Sequence, residues 1–334
     1  MSPRILVQSE FYEPRCCGDD KMFKHLQFHI VDLEKRKIRR NVSPPLFSTS
    51  GLTTMLSLRD SIYMFGGCST SEEVADIDSY VSQNPTDTFY MGSAHMRLAS
   101  DSVGVWCKHP KPIFGDLFAN STCLHGKIYN MGFRDLDPQL FDPTSDSWKS
   151  ITLPSELQGC FLSMFVLPDP SHNRIILHLG RGSLPSPSIY AYYPSSDEWK
   201  LIVSDFSDWD PVAAVADGVI YFNYYKCHTL VAAYDLKSLK WLDVHLSDTV
   251  ADGSNILINR FKELLYLGDN SFCLSVPSLQ IVNSNSIQPS EQCHVFFVKF
   301  KIERTDSVIN IIPQSASHFI LPRTSYLRNM IALS

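Results

Sequence analysis

Apolar residues along this chain come in short runs closed by polar turns, and helix-face spacing is nearly absent. A polar turn followed by a β-branched and aromatic run occurs five times. The copies are Leu58-Arg59-Asp60-Ser61-Ile62-Tyr63-Met64-Phe65-Gly66-Gly67, Leu124-His125-Gly126-Lys127-Ile128-Tyr129-Asn130-Met131-Gly132, Ser171-His172-Asn173-Arg174-Ile175-Ile176-Leu177-His178-Leu179-Gly180, Ala216-Asp217-Gly218-Val219-Ile220-Tyr221-Phe222 and Arg260-Phe261-Lys262-Glu263-Leu264-Leu265-Tyr266-Leu267-Gly268. Such turn residues tolerate positive φ, and the strand that follows packs on both faces.

A second pattern follows several of these runs: an aromatic-Asp pair, a polar turn, then Trp. It reads Phe141-Asp142 to Trp148 and Tyr234-Asp235 to Trp241. Tyr192-Tyr193 to Trp199 keeps the spacing without the Asp, and Val31-Asp32 to Ile38 keeps it without the Trp. This predicts a second hairpin whose first strand ends at an Asp that caps the turn. Trp148, Trp199 and Trp241 are expected in the core.

The spacing of Tyr129, Tyr221 and Tyr266 sets a period of about 45 residues carrying four strands, as a propeller blade requires. The expected fold is therefore all-β: one six-bladed β-propeller domain over residues 1–334, with four antiparallel strands per blade. The blades fall at 1–48 plus 313–334, 49–115, 116–156, 157–208, 209–248 and 249–312. The C-terminal segment, Ser317–Leu321 or the residues up to Leu333, closes the first blade and covers its open edge.

These residues resemble the kelch-repeat family. Phe65-Gly66-Gly67 stands for its di-glycine, and the aromatic-Asp…Trp element for its third and fourth strands. Gly132, Gly180 and Gly268 are single, and Asn223 replaces the pair in another copy. This divergent form is similar to the kelch domains of plant F-box proteins, although no helical F-box precedes the first strand. The resemblance implies that the loop after each second strand projects on one side. Those loops carry Cys68 and Glu72, then Arg134 and Asp135, Arg181, Tyr224, Tyr225, Lys226 and His228, and last Asp269 and Asn270. Arg134, Asp135, Arg181, Tyr224, Tyr225, His228 and Asp269 form the candidate binding face, since Arg and Tyr combine large surface with hydrogen bonding. Arg181 leads this set because Gly180 and Gly182 leave its side chain uncrowded.

Composition narrows the partners. Net charge is −6, and the one basic run, Lys35 to Arg40, falls at an expected hairpin, so nucleic acid is not the expected ligand. The nine cysteines lack regular spacing, and no secretory hydrophobic segment opens the sequence; a reducing cytoplasmic or nuclear setting with buried free thiols is expected. No apolar stretch reaches about 18 residues, so no membrane span is expected. The segment Ser69–Ser82, with Glu72, Glu73, Asp76 and Asp78, reads as a long acidic loop.

Candidate chemistry is sparse. Cys227-His228 are adjacent and point to opposite faces of a strand, while His25 and His29 would stand ~13 Å apart along one, so no metal and no cofactor is expected. No Gly-x-Ser-x-Gly elbow occurs. Glu72-x-x-x-Asp76-x-x-x-Tyr80 lacks the His of the iron motif found in some plant kelch proteins. His228, His178, Glu72 and Asp135 are the available acids and bases. The leading expectation is a protein-interaction module, related through the resemblance to ubiquitin-ligase substrate receptors. The alternative is a plant-type enzyme or specifier holding a small molecule in a central pocket; the residues name no reaction.

Overall fold

The computed structural model describes residues 3–14, 22–42, 50–59, 61–68, 91–97, 106–108, 120–131, 138–158, 162–180, 185–206, 212–222, 231–246, 263–278, 292–305, 307–322 and 326–333. Among them the only helical pieces are two single turns of 3-10 helix, Ser155–Leu157 and Pro170–His172. The rest is strand and turn, arranged as four four-stranded sheets and one eight-stranded sheet. The chain divides into two compact units, Met1–Val42 with Trp209–Leu333, and Ser43–Asp208.

In the first unit, β1 (Arg4–Pro14), β2 (Met22–Asp32) and β3 (Lys37–Val42) form an antiparallel meander. The C-terminal strand β24 (Tyr326–Leu333) completes it by pairing antiparallel with β1, Arg4 opposite Leu333. Residues 4–42 thus supply three strands and Tyr326–Leu333 the fourth. Ser317–Leu321 belongs to the neighbouring sheet.

That neighbouring sheet has eight strands. β16 (Ala213–Ala216), β17 (Val219–Phe222), β18 (Ala232–Asp235) and β19 (Lys240–Leu246) make one meander, and β20 (Glu263–Gly268), β21 (Ser271–Ser278), β22 (Gln292–Arg304) and β23 (Val308–Pro322) make another. A parallel pairing of β19 with β23, Asp243 opposite Val308 through Leu246 opposite Ile311, joins them. Between the two meanders lies a core of Tyr221, Phe272, Phe300, Ile309 and Ile311 with their neighbours. A second core joins Ile5, Val7, Val31 and Met330 to Phe297, Phe319 and Leu321.

The second unit contains three meanders in order: β4 (Ser50–Leu58) to β7 (Trp106–Lys108) with β5 (Ser61–Cys68) and β6 (Met91–Arg97); β8 (Ser121–Leu124), β9 (Lys127–Asn130), β10 (Gln139–Asp142) and β11 (Ser147–Ser150); and β12 (Leu162–Asp169), β13 (Arg174–Leu179), β14 (Ser188–Tyr193) and β15 (Glu198–Val203). Tyr63, Ile128 and Phe141 tie the first of these to the second, and Tyr129, Leu177, Tyr190 and Tyr192 tie the second to the third.

Turn chemistry explains these registers. The first hairpin of a meander closes on two residues at His125-Gly126, Asp217-Gly218 and Asp269-Asn270, all with φ between 48° and 76°. Positive φ at both positions matches the twist of the flanking strands, which is why Gly, Asp and Asn sit there. The second hairpin uses the Asp as predicted. Asp32, Asp142 and Asp235 each end a strand and accept a backbone N–H from Lys35 (2.9 Å), Thr144 (2.9 Å) and Lys237 (3.2 Å). The aromatic before the Asp stands in register opposite the tryptophan, Phe141 with Trp148 and Tyr234 with Trp241, while Tyr192 faces Trp199 in the copy without the Asp. Ring centroids lie 4.9–5.0 Å apart in all three pairs. The tryptophans are not core residues, however. They sit on outer strands, Trp148 and Trp199 half-buried and Trp241 43% exposed. The cross-strand aromatic covers part of each indole, and Trp241 also packs against Phe222 at 5.8 Å while Trp199 Nε1 donates to the Thr152 carbonyl at 3.0 Å.

The fifth turn-and-strand copy is displaced from its expected place. Glu263–Gly268 is the first strand of its meander, and the counterpart of Val219–Phe222 is β21, which follows Asp269-Asn270. An apolar run before a turn and one after it look alike in sequence when both strands are buried.

Candidate functional site

The connections of each meander are unequal. The first-to-second and third-to-fourth strand turns hold two to four residues, except between β6 and β7, where the eight residues 98–105 intervene. The second-to-third connections are long: residues 69–90, 131–138, 180–187, 223–231 and 279–291. Strand direction alternates, so the long connections leave one end of each sheet and the short turns leave the other. Long connections on a rigid sheet are where binding residues concentrate.

Of the expected face, Arg134, Asp135, Arg181, Tyr224, Tyr225 and His228 lie outside the described residues, as do Glu72 and the acidic segment around it. The strand ends that carry them are described. The Arg134-Asp135 connection leaves Asn130 and returns at Gln139, which pair with each other. The connection holding Arg181 leaves Leu179 and returns at Ser188, also a pair. The connection with Tyr224, Tyr225 and His228 runs from Phe222 to Ala232, paired likewise. Asp269 is elsewhere: it occupies the two-residue turn between β20 and β21 with φ 48°, on a short-turn end. Its place there follows from the displaced fifth copy.

Polar side chains are buried near these strand ends. Asn130, Gln139, His178 and Ser188 are each under 5% exposed in the second unit. In the first unit Gln8, Ser9 and His29 are similarly buried, beside register shifts at Gln8/Ser9 and Phe28/His29. The sequence signal for this set is a polar residue inside an apolar strand run, and the repeat pattern conceals it.

His178 is the one expected acid-base candidate that the structure describes. Its Nε2 lies 2.7 Å from the Phe206 carbonyl, so that nitrogen carries the proton and donates it. The ring sits between Phe165 (5.5 Å) and Phe206 (6.1 Å). Burial lowers its pKa, and the bond to Phe206 opposes that only in part. His178 is a neutral residue that fastens the connection after β15 to β13.

Two buried carboxylates, Asp169 and Asp235, are paired. Asp169 is fully buried and accepts from Arg174 Nε at 2.8 Å, from Ser171 at 2.8 Å and from His172. Burial opposes its ionisation, but those hydrogen bonds and the Arg174 charge hold the carboxyl below the usual carboxylate range. Asp235 is held low in the same way: burial works against ionisation, and Ser238, Lys237 and Arg304 outweigh it. The Cys273 thiol is pushed up to about 12 by burial, which makes it a packing residue rather than a nucleophile. Cys123 is also free, while Cys227 lies outside the described residues. The basic turn is solvated as expected, with Lys35, Arg36 and Lys37 exposed. No group of three or more His, Cys, Asp or Glu able to hold a metal occurs among the described residues. No helix among them is long and apolar enough to cross a membrane.

No protein-family model and no curated protein matches this chain. Among solved structures it is similar to TolB from Acinetobacter baumannii, at 10% identity and TM-score 0.51, over 99% of this chain and 66% of that one. It is also similar to a puromycin hydrolase (10% identity, TM-score 0.48, 86% of this chain and 43% of that one). A third is an oligogalacturonate lyase in complex with manganese (8% identity, TM-score 0.45, 95% and 75%). The chain spans less than two thirds of the length of the first two. The likeness to TolB shows the fold alone, all-β and propeller-like. It overturns the kelch reading, and the plant F-box likeness falls with it: no family model matches the chain, and the likeness that shows its fold is to TolB. The physical reason lies in the residues that suggested it. An Asp-capped turn opposite an aromatic pair and a positive-φ hairpin serve any four-stranded antiparallel meander, and the di-glycine that distinguishes kelch occurs once. This chain carries a propeller-like all-β fold.

Proposed function

We propose that this chain is a binding module that recognises a partner protein through the long second-to-third strand connections, with the six four-stranded meanders as six blades. The observation supporting this is the asymmetry of the sheets: turns of two to four residues at one end, save the eight residues 98–105 between β6 and β7, and at the other the connections 131–138, 180–187 and 223–231. Paired strand ends such as Asn130–Gln139 and Leu179–Ser188 fix where each connection leaves and returns. The connections carry Arg134, Asp135, Arg181, Tyr224, Tyr225 and His228, a mixture suited to an acidic or amide-rich peptide. Asp269, on the short-turn end, does not belong to this face.

The test compares captured partners of the wild-type chain, an Arg134→Ala/Arg181→Ala double variant and a Lys35→Ala/Lys237→Ala double variant. The last pair lies in short turns and is exposed. The proposal expects a specific partner to be lost by the arginine variant and retained by the lysine variant. Retention by the arginine variant, or loss confined to the lysine variant, would refute it.

A further inference from the structure

The β22–β23 hairpin outruns its cover. Near its base Val298 and Phe300 are buried against the β16–β19 meander. Farther along, on the same face, Phe296 is half-buried, while His318 is exposed and Ile320 is 41% exposed. The register sets Phe296 opposite His318 and His294 opposite Ile320, so the two histidines are diagonal neighbours on that face. Diagonal pairs lie within reach of long and aromatic side chains. Here they meet: His294 Nδ1 and His318 Nε2 are 2.9 Å apart, with the rings stacked at 5.0 Å. Phe296 also stacks on His318 at 4.5 Å and anchors it.

We propose that His294 and His318 form a two-histidine site for a divalent late transition ion, with Cu(II) preferred. Only one hydrogen fits between the facing nitrogens, so the pair cannot be doubly protonated there. Two imidazole nitrogens bound to one cation at ~2.0–2.1 Å stand about 2.9 Å apart at a right angle and about 3.4 Å apart at the tetrahedral angle. The observed 2.9 Å is the length of the hydrogen bond between the rings; it leaves both nitrogens within reach of one ion once the rings turn, and such donors favour Cu(II) most in the divalent series. Binding requires the donating imidazole to move its proton to its other nitrogen and both rings to turn toward the ion. No electron or leaving group is exchanged. Other coordination positions remain for solvent or a further ligand. The separation of 24 positions between the histidines hides the pairing in the sequence, where only the hairpin register brings them together.

Cu(II) alone, added to the full chain, tests this by calorimetry and electron paramagnetic resonance. The wild type should bind with two-nitrogen hyperfine structure. His294→Gln and His318→Gln should each weaken that binding about tenfold or more, taking the usual scale for perturbing a metal-bound histidine. His245→Gln, an exposed histidine on β19, should leave it unchanged. Because a variant could misfold, paramagnetic broadening of the imidazole signals by Cu(II) is followed in the unmodified chain as well, where those of His294 and His318 should broaden first. Wild-type affinity in both variants, or broadening that spares these two rings, overturns the site.

Discussion

At the residue scale, His178 shows how a buried polar group can tie a connection in place and make stability depend on pH. Its Nε2 holds the Phe206 carbonyl, and burial between two phenylalanines disfavours the charged ring. The folded-state pKa therefore lies below the ordinary histidine value, which the unfolded chain keeps. In the pH window between the two, the unfolded state binds more protons than the folded state, so stability rises with pH through that window. The contribution is complete above the unfolded pKa of ~6.5 and is lost as pH falls toward the folded value. Urea unfolding of the wild type should give a midpoint that drops between pH 7.5 and pH 5. His178→Gln keeps a donor for the carbonyl but cannot titrate. That variant should be less stable at pH 7.5 and show a flatter dependence below it. An unchanged slope in the variant would assign the pH dependence to other groups.

At the element scale, the second hairpins share a feature that the residue types alone do not announce. The fourth residue after the strand end is left-handed in each of four copies: Arg36, Asp146, Asp197 and Leu239, with φ 48–55°. Leucine is the least suited to this, since its Cβ crowds the backbone there. Leu239 is also 49% exposed, and the hydrogen bond that closes its turn runs from its own backbone N–H to the Asp235 carbonyl at 2.9 Å, which any residue can make. Leu239→Gly should therefore raise the urea midpoint by about 0.5–1 kcal/mol equivalent, the left-handed strain relieved less the entropy of glycine. The slope should not change, and a lowered midpoint would mean that the leucine side chain contributes more than its backbone costs. These turns also show what could be read in advance. The hairpins, the Asp caps and the strand ends are local, and local chemistry writes them: Asp142 and Asp235 sit where the pattern placed them. Other features were concealed because they depend on which strands become neighbours. The first-strand role of Glu263–Gly268, the exposure of Trp241 and the meeting of His294 with His318 each require the register of a partner strand. Of the candidate face, the strands that flank the Arg and Tyr positions were legible, and the buried Asn130 and Gln139 at two of their ends were not, because a polar residue at a strand end looks like the start of the loop.

At the scale of the whole molecule, the chain ends meet in one sheet, and much of the first unit's stability should rest on that pairing. β24 covers the edge of β1 from Arg4 to Glu10 and brings Met330 and Leu333 into burial at 4% and 6% exposure. Without it, β1 presents unpaired N–H and C=O groups, and the core of Ile5, Val7, Phe319 and Leu321 loses Met330. Burying two such side chains is worth about 3–6 kcal/mol, before any contribution from the lost ladder. A typical folded domain has only about 5–15 kcal/mol in total, so losing the strand removes a large share. Deleting residues 326–334 should therefore give a chain that unfolds at much lower urea and aggregates through the open edge of β1. A peptide of the sequence 326–334 added in trans should dock on that edge as a strand and restore the midpoint in a concentration-dependent way. A scrambled peptide should not. If the shortened chain unfolds at the wild-type midpoint, the closing strand contributes nothing to stability, and the sheet of β1, β2 and β3 stands without it.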